Sequence, residues 1–160
     1  FGAQPEALAW NLGRFAECLL PLAPKAELQE ALDGFGDDFG LAFQQEVLRR
    51  LGLGDTGDAA ARARLSEAWW RFLYESQVPF AQPWHDWLGG GAGAARAERG
   101  PLKAAYAGEA FAPVRAALAE FPVVDAGAPA HSYFTRKQPV TMLIDEVEAI
   151  WDRKIGRAHV

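Results

Sequence analysis

Leu8, Leu12, Phe15 and Leu19 recur at spacings of four, three and four, which is one apolar stripe of a helix predicted over Pro5 to Leu20. Pro5 suits a first helical turn, where its missing N–H costs nothing, and Pro21 and Pro24 end the pattern. A second helix is predicted over Ala26 to Leu51, with Leu28, Leu32, Phe35, Phe39, Phe43 and Val47 on one side. Gly34, Gly36 and Gly40 fall inside it, each costing up to ~1 kcal/mol against Ala, so they either interrupt the helix or mark a close helix crossing. Gly52 to Gly57 reads as a loop. Asp58 then caps a third helix reaching Gln77, with Leu65, Trp69, Phe72 and Leu73 inward and Arg62, Arg64 and Arg71 in solvent.

Pro79 stops that helix, and Gln82 to Leu88 reads as a short one closed by Gly89 and Gly90. The Gly- and Ala-rich stretch from Gly89 to Gly100 is expected to be a mobile surface connection. A further helix is predicted over Glu109 to Phe121, with Phe111, Val114 and Leu118 inside, followed by an extended or looped Pro122 to Pro129. The last helix is predicted over Val140 to Asp152. Its Val140, Leu143, Ile144, Val147, Ile150 and Trp151 form a wide apolar face, opposite the acidic Asp145, Glu146, Glu148 and Asp152. No repeat and no dependable strand pattern stands out, so the fold class is mainly α.

With 160 residues, half of them hydrophobic and six Trp and ten Phe among them, the chain can bury one core. Its formal net charge is −5 and its cations are scattered, which does not suit a nucleic-acid partner. No apolar run reaches the length of a membrane span, and no signal-peptide pattern opens the chain. Cys18, the single cysteine, cannot form an internal disulfide; beside Leu19 and Leu20 it reads as a buried thiol of a cytosolic-type protein. Phe1 is not an initiator methionine, and a start within a longer gene is expected. Lys154 to Val160 breaks the pattern of the preceding helix and matches one translated frame of a common sequencing adapter. Residues 154–160 are therefore expected to be read-through from a metagenomic assembly, with His159 set aside as a ligand. Without Lys154 and Arg157 the formal charge is −7.

Candidate chemistry is sparse. Gly89 to Gly93 resembles a phosphate loop only in glycine content, since no Gly-Lys-Ser/Thr follows; it reads as linker. His85-Asp86 could be a polarised imidazole, but neighbours on a helix point about 100° apart. The expectation is that Trp84 and Trp87 pack on the core and leave the polar pair outside. His131 reads as a loop residue. Cys18 has only Glu17 beside it, which disfavours a thiolate, and Asp145, Glu146 and His131 lack metal-ligand spacing. No catalytic, cofactor-binding or metal-binding residue is therefore assigned.

Gln4-Pro5, Trp10-Asn11-Leu12 and Arg14 resemble a helix of the selenoprotein O family, also called YdiU, just after its kinase-like metal site. Leu19-Leu20-Pro21-Leu22 and Leu48-Arg49-Arg50-Leu51-Gly52-Leu53 are similar to the helices that follow there. Tyr133-Phe134, Pro139 and Thr141 to Trp151 look like a branch of the family that ends in an acidic helix.

That resemblance implies that residues 1–153 are the helical C-terminal part of a kinase-like fold, a single incomplete domain. It implies a bacterial cytoplasmic protein adenylyltransferase that moves AMP from ATP to protein Ser, Thr or Tyr hydroxyls, with Mg²⁺ and ATP bound by an N-terminal catalytic lobe outside this chain. Protein substrates and that missing lobe are the implied partners. Gln4, Pro5, Trp10, Asn11 and Arg14 are the motif residues, with a structural role expected; Asn11 and Arg14 would hold the first helix against the lobe through hydrogen bonds. The alternative is a free-standing helical protein-interaction domain that presents a Trp-rich surface.

Overall fold

A computed structural model describes residues 4–155. Eight α-helices are found among the described residues: α1 Gln4–Leu19, α2 Lys25–Leu51, α3 Ala59–Ser76, α4 Ala81–Asp86, α5 Ala94–Arg99, α6 Lys103–Ala107, α7 Ala112–Leu118 and α8 Ile144–Ile155. Short 3-10 turns at Gly90–Gly93, Glu109–Phe111, Ala128–Ala130 and Ser132–Thr135 connect them. The β structure among the described residues is one isolated antiparallel bridge, Leu53 to Val123. The chain is mainly α.

The first three helices fall where periodicity puts them. Asp58 caps α3 by accepting the N–H groups of Ala60 and Ala61 at 2.8 and 3.0 Å. Helix α2 runs unbroken for 27 residues. A Cβ at Gly34, Gly36 or Gly40 would meet nothing within 4 Å, so these glycines neither interrupt the helix nor mark a crossing. Arg64 and Arg71 are exposed as expected, but Arg62 is not: its side chain is 11% exposed and pairs with Asp55 at 2.8 Å.

The C-terminus of α2 joins three stretches of chain. Gly52 takes a left-handed conformation; its N–H bonds Arg49 O, and the Leu53 N–H bonds Leu48 O at 2.9 Å. From there Gly89 N donates to Leu51 O at 2.7 Å, Val124 N to Gly52 O at 3.0 Å, and Gly54 N to Pro122 O at 2.8 Å. Leu48, Leu51 and Leu53 thereby enter a core with Leu65, Trp69 and Phe72 of α3, Trp84 and Trp87 around α4, and Phe111, Val114 and Leu118. The aromatic members touch in tilted or edge-on pairs, such as Phe72–Phe111 at 4.8 Å and Trp69–Trp84 at 4.7 Å between centroids.

The stretch from Gly89 to Gly100 is not a surface connection. It forms a 3-10 turn and α5, with Gly90, Gly93 and Ala97 buried. A Cβ at Gly93 would stand 2.6 Å from Asp86 O and 3.0 Å from Leu88 O, so α4 and α5 meet backbone to backbone. Helix α6 had no periodic signal, and the predicted Glu109 to Phe121 helix opens as a 3-10 turn before α7. The last helix begins at Ile144 rather than Val140 and extends past Asp152 to Ile155. Phe1 and the stretch from Gly156 to Val160, including Arg157 and His159, lie outside the described residues.

Both ends expose apolar side chains. No residue of α1 is buried; Trp10 is 66% exposed, and Phe15 and Leu22 are exposed too. Cys18 is exposed, not buried, because α1 packs on one side only, against α2. On α8, Ile144, Ile150 and Trp151 are exposed and Val147 is half-buried, so most of the apolar face expected there stays open among the described residues. None of the described helices is long and apolar enough to cross a membrane.

Two glycine substitutions should separate these environments. Gly93→Ala is expected to destabilise the chain by about 1–3 kcal/mol, because the clash is with backbone. Gly40→Ala, in open space within α2, should stabilise it by about 0.5–1 kcal/mol. Urea-denaturation midpoints followed by tryptophan fluorescence check both signs.

Candidate functional site

The chain's most polar buried spot lies at the end of α4. Asp86 is fully buried and His85 only 4% exposed, so the pair expected outside is inside. They also touch, with His85 Nδ1 3.1 Å from Asp86 Oδ1. The reason is that α4 has no solvent face: Gln82 through Asp86 are all buried. The core takes Trp84 on one side, and α5, α6 and the 131–137 segment cover the other.

Asp86 is held by donors from two helices. Gln82, one turn earlier, donates its Nε2–H to Oδ1 at 2.8 Å and also to Lys137 O at 3.0 Å. The Tyr106 hydroxyl of α6 donates to Oδ2 at 2.9 Å. Burial, reinforced by the neighbouring Asp86 carboxyl, pushes the Tyr106 phenol far above its ordinary range. The His85 ring packs against Tyr133 and Phe134 at 5.7 and 5.3 Å, and its Nε2 is buried with no hydrogen-bond partner among the described residues.

Arg96 of α5 closes the cluster. Its Nε and Nη2 donate to His85 O and Leu88 O at 2.9 Å each, and Nη1 to Pro129 O at 3.4 Å. Its guanidinium lies 5.0 Å over the Phe134 ring. Burial lowers its pKa first, Asp86 opposes that, and the like charge of Arg99 adds to the lowering. The cluster thus ties α4, α5, α6 and the 129–137 segment together through side chains.

Chemically the arrangement is a scaffold. Both oxygens of Asp86 are occupied by donors, so it is not poised to take a substrate proton. No group of three His, Cys, Asp or Glu side chains among the described residues could hold a metal ion. His131 is exposed in its loop, with Nδ1 accepting from Tyr133 N at 3.2 Å. Asp145 and Glu146 are exposed in the first turn of α8.

The motif residues of α1 are not part of this cluster. Trp10, Asn11 and Arg14 are exposed, with Arg14 5.9 Å over the Trp10 ring and paired with Glu17. Gln4 and Pro5 border an apolar groove of about 830 Å³ with Phe39, Phe43, Trp70 and Tyr74.

Tyr106→Phe keeps the ring against Trp87 and Phe111 and removes only the bond to Asp86. It is expected to cost about 1–3 kcal/mol of stability at neutral pH, since the buried acceptor loses a donor. The sign with pH follows from the raised folded-state pKa. The phenol's contribution is complete below about pH 10, where it ionises in the unfolded chain, and is lost above that. Denaturation midpoints should therefore fall above pH 10, and fall less in Tyr106→Phe.

The same chain carries clear sequence relatives. Residues 1–88, covering α1 to α4 and so Gln82, His85 and Asp86, match the family model described as Protein adenylyltransferase SelO. Tyr106, Arg96 and the C-terminal resemblance at Tyr133-Phe134 and Thr141 to Trp151 lie beyond that match. A Protein nucleotidyltransferase YdiU of Xanthomonas axonopodis pv. citri is 42% identical over 59 residues, 36% of this chain and 11% of the relative. The Hahella chejuensis protein of that name is 42% identical over 57 residues, 36% of this chain and 12% of its own length. One from Bradyrhizobium sp. is 46% identical over 59 residues, 33% of this chain and 12% of the relative. The chain thus spans only a small part of the curated relatives it matches. No solved structure matches it. With residues 1–88 of its 160 inside the family match, the chain belongs to the protein adenylyltransferase SelO family.

Proposed function

We propose that this chain is a helical C-terminal piece of a protein adenylyltransferase, supporting AMP transfer from ATP to protein hydroxyls without performing it alone. The observation that carries this reading is the family match over α1 to α4. The relatives' own name, protein nucleotidyltransferase, agrees with it. Residues 1–153 are the native helical part in this reading, and 154–160 are foreign to it.

Phosphoryl and nucleotidyl chemistry needs cations around the phosphates and oxygen ligands for Mg²⁺. Asp86, the carboxyl buried deepest among the described residues, already has both oxygens taken by Gln82 and Tyr106, which supports placing the Mg²⁺ ligands elsewhere. In this reading the remainder of a longer protein would hold ATP and Mg²⁺ and choose the protein substrate. Trp10, Phe15 and the apolar groove beside Gln4 and Pro5 would face that remainder. A second reading draws on the exposed tryptophans of α1 and α8: a free-standing helical interaction domain whose Trp10 and Trp151 meet a protein partner.

Two measurements test the assignment. ATP labelled at the α-phosphate should modify protein hydroxyls when supplied to the longer parent protein, and the 160-residue chain alone should transfer nothing. AMP transfer by the chain alone would overturn the reading. The isolated chain is also expected to self-associate as its concentration rises in sedimentation velocity. Replacing Trp10 and Trp151 by Ser should reduce that association, whereas a strictly monomeric wild-type chain would refute exposed lobe-facing surface.

A further inference from the structure

Beside the Asp86 cluster lies an open cleft of about 520 Å³, a volume suited to a small molecule. Its lining holds Arg96 and Arg99 of α5 and Arg136 and Lys137 of the segment opposite. This concentration of positive charge sits on a chain whose formal charge is −5. Asp86 is the one carboxyl on the lining, and Gln82, His85 and Tyr106 occupy its oxygens. No carboxylate among the described residues lies within ion-pair distance of any of the four cations. The cleft therefore sets four cations against one carboxyl, Asp86, which acts electrostatically on Arg96, and leaves positive charge in excess.

Arg96 is pre-positioned. Three backbone carbonyls and the Phe134 ring fix its guanidinium, which leaves two of the five N–H groups of an arginine for a ligand. Arg99, Arg136 and Lys137 are exposed and can close on an anion from the rim. Arginine forks match the oxygens of phosphate or carboxylate. A phosphomonoester carries about −1.5 to −2 charge and three acceptor oxygens, which answers several cations at once; a single carboxylate does not.

We infer that the cleft between α5 and residues 129–137 is a binding site for a small phosphate-bearing anion, with Arg96 as its fixed donor and Arg99, Arg136 and Lys137 as its rim. This site is separate from the AMP-transfer reading, and either can fail without the other.

Equilibrium dialysis of the full 160-residue chain, which does not depend on its state of association, tests the site with inorganic phosphate, pyrophosphate and AMP as probes. At constant ionic strength, at least one probe should bind saturably, near one per chain, with a Kd below about 1 mM. AMP binding tighter than phosphate would assign an organic phosphoester, and the reverse order an inorganic one. Arg99→Ala with Arg136→Ala should weaken binding roughly tenfold or more. Arg99→Glu, at an exposed position, should abolish it, while Arg71→Ala, an equal loss of charge on α3, should leave it within about twofold. Absence of saturable binding by all three probes would overturn the inference. So would equal weakening by Arg71→Ala and the cleft variants.

Discussion

A carboxyl group buried among aromatic rings is unfavourable by several kcal/mol unless donors surround it, and Asp86 sits in such a place. Gln82 and His85 come from its own short helix, but Tyr106 comes from 20 residues further on. The requirement for that third donor fixes how α6 lies on α4. Between them α5 must pass close enough to seat Arg96 on the carbonyls of His85 and Leu88, which leaves no room for a side chain at position 93. In the low dielectric created by Trp87, Tyr106 and Phe111 each of these bonds is strengthened, and a missing one is correspondingly costly.

The hydrophobic part of the architecture was legible in the sequence, and the polar part was not. Helices α1, α2 and α3 were readable because periodic apolar positions, a capping Asp58 and bounding prolines all agree. The glycine-rich stretch misled because glycine has two uses, freedom in a linker and absence of bulk at a close approach, and composition does not separate them. One signal did: between Phe80 and Ala95 the sequence holds no Lys, Arg or Glu and a single Asp, Asp86, which is poor composition for a solvated segment. A helix flanked by Trp84 and Trp87 with so little charge has no face to offer water. The contact of His85 with Asp86, and the arrival of Tyr106 and Arg96, depend on tertiary placement of short helices with too few turns to show a period.

The family match and the physical unit do not share a boundary. The match ends at residue 88, yet the core around Trp69 and Phe72 is completed by Phe111, Val114 and Leu118 from beyond it. Residues after 88 supply the hydroxyl and the guanidinium that the matched Asp86 and His85 rely on. A cut at the family limit would strip that carboxyl of Tyr106 and open the aromatic core.

The outer position of Cys18 also changes what the thiol can do. Its S–H points back along α1 to Arg14 O, at 3.4 Å, rather than into a core. Since residues 1–160 hold no second cysteine, oxidation of this chain by itself can join Cys18 only to a thiol on another molecule. In air, two chains can therefore become covalently linked through α1, a reducible dimer whose mass doubles without any change in the Asp86 cluster. The same single thiol also offers one attachment point for a spectroscopic label, which would report on α1 and its packing against α2.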